Sequence, residues 1–429
     1  MGVDRLLGLL RGRKVNFHLV GGSTSLVDPS LYPFRTNEVP VLFYRVDDQS
    51  EALDGYTSGL RSIVRPGVGD HWFKAKAIGI PSGSSRPICA DGNIYTYYLS
   101  EVYIGTGRLI WGFSTVDEAE NEISRMVEAR ELGLPAVKPV GLGYYSNVKV
   151  LDYRDRIELF KMLDSTPRDS LLERFRGSSR PVEAACVFTN QPTDVRTDEI
   201  LYGFLHPLVH EVLDLRDCRN FLGWLGSCCG LNLRMHHDAG ILHGTIPRYG
   251  GFMTNSHTAN HLVDEEGTYT ADYHMTYRSQ DRDLKRIEVF FLASLMNPLP
   301  RAEEAAGEAF RQDRPLLFEL PDENDFPLSY GKYQDQFFRP KSQCEKFTEA
   351  FVDGVAHGYN RRKVRRVEAK LRREALLKAA ACKKDLFRLL GFPEGMERGS
   401  EHVAKRLAGR SFTDGELRES LGRIEEDLG

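Results

Sequence analysis

At Ser114 the hydrophobic period of the chain changes, and that switch constrains the fold more than any other local signal. Upstream, from about 60 to 112, short β-branched and aromatic runs alternate with Gly, Pro, Ser and Asp. They are Ile63-Val64, Trp72 to Ile80, Ile94 to Leu99 and Val102 to Ile104. Thr115 followed by Glu118 is a capping-box pattern, in which hydroxyl and carboxylate each take a free N–H. Val116, Ala119, Ile123, Met126 and Val127 then recur at helical spacing until Gly133 and Pro135. This predicts a helix over 115–132. Val137 to Leu142 and Val182 to Phe188 return to strand texture. Before residue 60 the pattern is mixed: Val41 to Tyr44 reads as a strand, and turn residues cluster at Gly21-Gly22-Ser23 and Asp28-Pro29-Ser30.

From about 205 the texture is helical, with Leu208 to Leu215 and Phe221 to Met235. A loop-rich stretch from Asp238 to Met275 holds two β-like pieces, His261 to Val263 and Thr268 to Ala271, around the tight turn Asp264 to Gly267. Residues 284–297 are helical, 298–340 are Pro-rich and irregular, and the chain from about 343 onward is charged and helical. The class expected is α+β. A net charge of -4 gives no global pull toward nucleic acid or an anionic membrane. Seven cysteines, with only Cys228-Cys229 close together, form no disulfide framework, so a reduced, cytoplasmic setting is expected. The apolar run Leu6 to Leu10 is too short for a signal sequence, and no later run is long enough to span a bilayer, so no membrane association is expected.

The chemistry concentrates between His236 and Met275. Phosphoryl transfer needs Mg²⁺ on the phosphates, a cation beside them and an oriented nucleophile. Mg²⁺ takes hard oxygen ligands, and Asn260 with Asp272 would supply an amide and a carboxylate oxygen from either side of a hairpin. His237 to Gly244, Asn260 to Asp264 and Ala271 to Tyr273 resemble the catalytic loop and metal-binding segment of the protein-kinase-like superfamily. Within it the likeness is to aminoglycoside-phosphotransferase-type kinases and selenoprotein-O-type AMP transferases. The resemblance implies Asn260 and Asp272 as metal ligands and His243 as the loop-anchoring histidine.

That superfamily also demands a Gly-rich turn, a strand lysine and a helix glutamate, in that order. Gly67 and Gly69 flank a turn before a strand carrying Lys74 and Lys76, which point to one face. Lys76 to Gly79 is more similar to the lysine segment of selenoprotein O than the surroundings of Lys74 are, and Glu122 sits where the partner glutamate does. The implied fold is two-lobed and protein-kinase-like. It has an N-terminal extension with β elements (1–60), an N-lobe and hinge (61–200), a helical C-lobe (201–340) and a charged helical extension (341–429).

The pattern departs at the base. The position two residues after His243 is Thr245, whereas counting back five from Asn260 reaches Asn255, with His257 as the second histidine of the motif. Neither Thr nor Asn is a base near neutral pH, while His257 has the chemistry for one. The expected function is therefore an ATP- and Mg²⁺-dependent phosphotransferase acting on a small-molecule or protein acceptor. The alternatives are an AMP transferase and a pseudokinase serving as a nucleotide-responsive module. The clustered histidines lack His-Glu-x-x-His spacing and predict no zinc site. Arg361 to Lys384 is strongly basic with a narrow stripe of Val364, Val367, Leu371 and Ala375. Such a segment packs by its stripe, or offers its cations to nucleic acid or an acidic partner.

Overall fold

The computed structural model describes residues 3–11, 14–42, 52–58, 61–79, 112–151, 181–244, 246–248, 251–253, 255–294, 341–392, 403 and 410–429. The readings at Ile94 to Leu99, Val102 to Ile104 and 298–340, and those at Tyr44, Ile80 and Thr245, lie outside these residues. The chain forms two compact units. One takes Arg13–Val127 and Lys138–Pro192; the other takes Met1–Gly12, Glu128–Val137 and Thr193–Gly429.

The N-terminal helix α1 (Val3–Arg11) belongs to the second unit. Its buried Arg11 donates to the Asp194 carboxylate at 3.1 Å and also pairs with Glu199. The first unit is built from β1 (Val15–Leu26), β2 (Glu38–Val41), β3 (Leu53–Thr57), β4 (Ser62–Pro66), β5 (Trp72–Lys76), β6 (Ser114–Thr115), β7 (Lys138–Leu151) and β8 (Pro181–Gln191). Antiparallel pairing runs from β1 through β3, β4, β5, β8 and β7 and returns to β1. These strands close a barrel.

The two-lobed protein-kinase-like fold expected from the resemblance, with its open N-lobe sheet, is therefore not what forms. The α+β class holds, but the sheet has no open edge between β1 and β7. The reason lies in β1, where Gly21-Gly22 reads as a turn in sequence but sits inside a long strand. Gly22 lies opposite Tyr145, and a Cβ there would run into the Tyr144 carbonyl and Val39. Without side chains the backbones of β1 and β7 approach closely enough to zip the barrel shut.

Alternation along the strands sends Phe17, Ile63, Phe73, Ala75, Cys186 and Phe188 into the closed core. A 3₁₀ turn at Pro29–Leu31 brings in Tyr32 and Phe34. The Tyr32 ring lies 4.9 Å from Phe188 and 5.9 Å from Phe73. Aromatic side chains thus fill the barrel, as they must in one of this size.

A helix, α2 (Val116–Glu131), follows β6. Thr115 and Glu118 close the reciprocal cap expected from sequence: Thr115 N–H donates to Glu118 Oε2 at 2.9 Å, and Glu118 N–H to Thr115 Oγ1 at 3.3 Å. Gly133 leaves the helix at φ +71, a left-handed conformation that suits glycine.

In the second unit, α3 (Thr197–Gly203) and α4 (Val209–Val212) precede the long α5 (Leu215–Asp238). Then come β9 (Ile241–Leu242), β10 (Ile246–Arg248), β11 (Gly251–Met253), β12 (His261–Val263), β13 (Thr268–Thr270) and β14 (Tyr277–Arg278). The helices α6 (Arg282–Ser294), α7 (Lys341–Arg361), α8 (Ala369–Leu389) and α9 (Asp414–Leu428) complete it. Glycines set the pairing of α5 with α7: a Cβ at Gly226 or Gly230 would overlap the carbonyls of Phe351 or Val355, and one at Gly358 that of Ser227. Among the described residues, no helix is long and apolar enough to cross a membrane.

Candidate functional site

In the barrel unit, Lys76 ends β5 opposite Val187 of β8, while Ser114 of β6 lies opposite Ala185 on the same edge of β8. The strand β6 therefore begins two residues farther along β8 from Lys76, and α2 follows directly from it. Ala119, Glu122, Ile123 and Met126 share the buried face of α2 at i, i+3, i+4 and i+7 spacing. A carboxylate on such a face needs a partner, because burial penalises an unpaired charge heavily. Lys76 Nζ supplies it, donating to Glu122 Oε1 at 2.7 Å. Lys74 is buried on the same strand face, opposite Val64 and Thr189.

Ala77, directly after Lys76, has φ +65, a conformation disfavoured for a residue with a Cβ. It turns the chain so that Ile78 bridges to Phe113. Gly67 and Gly69 occupy the β4–β5 turn. A Cβ on Gly67 would meet the Phe73 backbone nitrogen at 2.8 Å, and Gly69 has φ +70.

In the second unit, α5 ends at His236, His237 and Asp238, and Gly240 at φ +75 turns the chain into β9. His243 follows, fully buried. Its backbone N–H donates to Glu288 Oε1 of α6 at 2.6 Å, and His237 Nε2 meets the other oxygen of that carboxylate at 2.9 Å. The long stretch between His243 and Asn260 has a structural explanation. Its extra residues form the β10–β11 hairpin, whose strands pair Ile246 with Met253. The chain then returns to where it left: Asn255 N–H donates to the His243 carbonyl at 3.1 Å. The hairpin is an excursion, and in space His243 is followed by Asn255.

The Asn255 carbonyl is a hub. It receives His243 Nδ1–H at 3.2 Å, the His257 N–H at 2.9 Å and the Asn260 side-chain amide at 3.0 Å. The Asn260 amide nitrogen also lies 3.3 Å from His257 Nε2, which accepts its second hydrogen. With both amide hydrogens engaged, Asn260 turns its oxygen the other way. The β12–β13 hairpin then brings the chain back: His261 pairs with Thr270, and Ala271 N–H donates to the Asn260 carbonyl at 3.0 Å. Asp272 is the next residue, its Oδ1 held by His274 Nδ1 at 2.6 Å.

Burial dominates the electrostatics here. Loss of solvent pushes the His257 imidazole down to about 4 and His236 to about 3, and lowers His243 as well. The negative charge of Asp272 works in the opposite direction at His257 and His243, which places all three groups in one field. His236 spans Asn232 O at 2.9 Å and Tyr273 OH at 2.7 Å, so Tyr273 packs against the loop from behind Asp272.

The structure thus brings Lys76 and Glu122 together within the barrel unit, and His243, His257, Asn260 and Asp272 together within the helical unit. Sequence reading missed Glu288, Asn255 as a carbonyl hub, and Tyr273. The one available signal was a carboxylate set within the apolar run Ile287 to Phe291. Among the described residues, no group of three or more His, Cys, Asp or Glu side chains is arranged to hold a metal ion. The sequence matches no protein-family model and no curated protein.

Proposed function

We propose that this protein is an ATP- and Mg²⁺-dependent phosphotransferase whose phosphate-handling side chains are carried on a scaffold of its own. The observation that carries the reading is the arrangement of Asn260 and Asp272. Two hard oxygen donors follow one another across a hairpin, and the amide of Asn260 is locked so that its oxygen remains for a cation. This donor set fits Mg²⁺, which keeps most of its shell for water and phosphate and needs only one or two protein oxygens. When bound, the ion would neutralise charge on the transferred phosphoryl group.

In this reading Lys76 holds the α- and β-phosphates, and Glu122 fixes the ammonium in place. The Gly67–Gly69 turn lets backbone N–H groups approach phosphate oxygens. His243 braces the loop through Glu288 and Asn255. His257 positions Asn260: its Nε2 lone pair accepts the Asn260 amide, and an imidazole held at about 4 is a weak base. A loose transition state depends only modestly on base strength, so turnover would be slow but real. The setting is the cytoplasm, where ATP is plentiful and thiols stay reduced; the described cysteines are free and buried.

A second reading is a nucleotide-responsive module without turnover. It is favoured by Asn255, an amide at the place where a catalytic acid would orient the acceptor. Calorimetry with Mg²⁺-ATP on the wild type, Asp272→Ala and Glu122→Gln, with product analysis on the same samples, separates them. Metal-dependent binding lost in Asp272→Ala, with ADP released, supports the phosphotransferase. Pyrophosphate released instead points to AMP transfer. Binding without product supports the module, and no binding to the wild type removes all of these.

A further inference from the structure

Apart from the half-buried Arg365, the basic side chains from Arg361 to Lys384 fall into two sets. One set is spent on the protein itself. Arg362 pairs with Asp238 at 3.0 Å, Arg373 forks the Glu265 carboxylate with one arm at 2.8 Å, and Lys378 pairs with Glu374 at 2.7 Å. Lys383 and Lys384 reach Glu199 and Asp427, and the Arg372 guanidinium lies over the Trp224 ring. Apart from Arg362 they lie on α8 from Arg372 onward, and of the apolar stripe Ala375 is buried while Val364, Val367 and Leu371 are half-buried.

The other set is Arg361, Lys363, Arg366 and Lys370. All four are exposed, and among the described residues no carboxylate lies within ion-pair reach of any of them. They lie on and beside the connection from α7 to α8, where Arg362 at φ +50 breaks the helix and the backbone stays irregular to Glu368. Their field is felt nearby: His357, one turn before Arg361, is lowered first by burial and then by Arg365, Arg361 and Lys363. Acidic residues elsewhere in the chain bring its total charge to -4, so this positive strip is local rather than a reflection of the whole surface.

The composition of the strip narrows what it can bind. Val364 and Val367 are half-buried, and the exposed large apolar side chains of the described surface, Val27, Val68, Leu132 and Leu215, all lie elsewhere. A protein partner would need a buried apolar or aromatic anchor at the centre of its interface. Charge alone adsorbs only weakly to an anionic bilayer, and stable anchoring needs an apolar face or a lipid as a second signal. Base stacking would need an aromatic, and residues 361–370 contain none. What remains is a polymer recognised by charge alone.

We propose that residues 361–370 form a nucleic-acid-binding strip that contacts the phosphate backbone through Arg361, Lys363, Arg366 and Lys370 without reading bases. This site is independent of the phosphotransfer reading and would operate whether or not ATP is turned over. Its affinity comes from counterion release, so the logarithm of the binding constant falls with the logarithm of salt with a slope of about −3 for four contacts to a single strand.

The test is fluorescence polarisation of the full-length protein with a labelled single-stranded RNA of mixed sequence over a salt series. Binding with that slope, indifferent to base sequence, is the expected result. The quadruple variant Arg361→Gln, Lys363→Gln, Arg366→Gln, Lys370→Gln should bind at least about tenfold more weakly with a flattened slope. It should keep its thermal unfolding profile, because none of the four side chains is paired among the described residues. Substituting Arg216 and Arg219, exposed cations on α5, should change nothing. Three results would overturn the proposal: no binding at low salt, binding that survives in the quadruple variant, or equal competition by poly-glutamate. The last would assign the strip to an acidic protein.

Discussion

The barrel unit and the helical unit are held together by opposite means. In the barrel, side chains fill space: Phe17, Tyr32, Phe73 and Phe188 occupy the interior, the half-buried Phe34 packs against them, and ring centroids 4.9 to 5.9 Å apart join them. In the helical unit, the absence of side chains matters as much. The helices α5 and α7 meet backbone to backbone through Gly223, Gly226 and Gly230 on one and Gly354 and Gly358 on the other. Around that contact, buried polar groups rather than apolar mass fix the loops, with Glu288, the Asn255 carbonyl and His236 as the knots. A unit filled by side chains fails when atoms are removed. A unit closed by glycine fails when atoms are added, and one pinned by neutral histidines fails when protons are added.

The sharpest way to break this contrast is to add volume between α5 and α7. Gly226→Val with Gly230→Val should cost more than about 5 kcal/mol, because each new side chain overlaps a carbonyl of α7 that the helix cannot withdraw. Denaturant unfolding should show loss of the cooperative transition. Gly8→Ala, where nothing lies within 4 Å, should be neutral or slightly stabilising. A wild-type midpoint for the double variant would mean the helices are not closely packed.

Removing volume from the barrel comes next. Phe73→Ala deletes a fully buried ring that touches three others, Tyr32, Phe34 and Phe188, and should cost about 3–5 kcal/mol in the same experiment. Acidification is the third and should separate the units. A histidine whose folded value is lowered to about 3, as His236 is, remains neutral in the fold but takes a proton when unfolded below about 6.5. Stability is therefore complete above about 6.5 and lost as the pH falls, by about 2–3 kcal/mol at pH 4.5 from this one group. Hydrogen exchange at pH 7 and 4.5 should show protection falling in α5, β12 and β13 more than in β5 and β8. Equal loss in both units would sink the distinction. The smallest effect is Ala77→Gly, which relieves a left-handed alanine beside Lys76 and should raise stability by about 0.5 kcal/mol. A decrease would show that the turn carries no strain.

Much of the secondary structure was legible because it is set by near neighbours. The Thr115–Glu118 cap, the end of α2 at Gly133, the hairpin around Asp264 to Gly267, and the long α5 were all readable from local chemistry. The glycines were read less well. Gly21-Gly22 looks like a turn in sequence because turns and crowded strand seams both select the missing Cβ, and only the position of β7 tells them apart. For the site, the spacing of Asn260, the hairpin and Asp272 was legible. Sequence left Thr245 and Asn255 as alternatives, and only the inserted hairpin, which separates sequence adjacency from spatial adjacency, puts Asn255 beside His243.

By itself the sequence determined the capped helix after Thr115, the long helix ending at Asp238 and the hairpin around Asp264 to Gly267, which side chains carry charge and oxygen donors, and where cations outnumber the local carboxylates. Tertiary structure alone decided that the sheet closes, that Asn255 stands beside His243, and which basic residues near α8 pair with carboxylates. The physical reason is range. Capping, turn geometry and periodicity are settled within a few residues, whereas barrel closure and ion pairing join groups such as Gly22 with Tyr145 or Arg373 with Glu265, far apart along the chain.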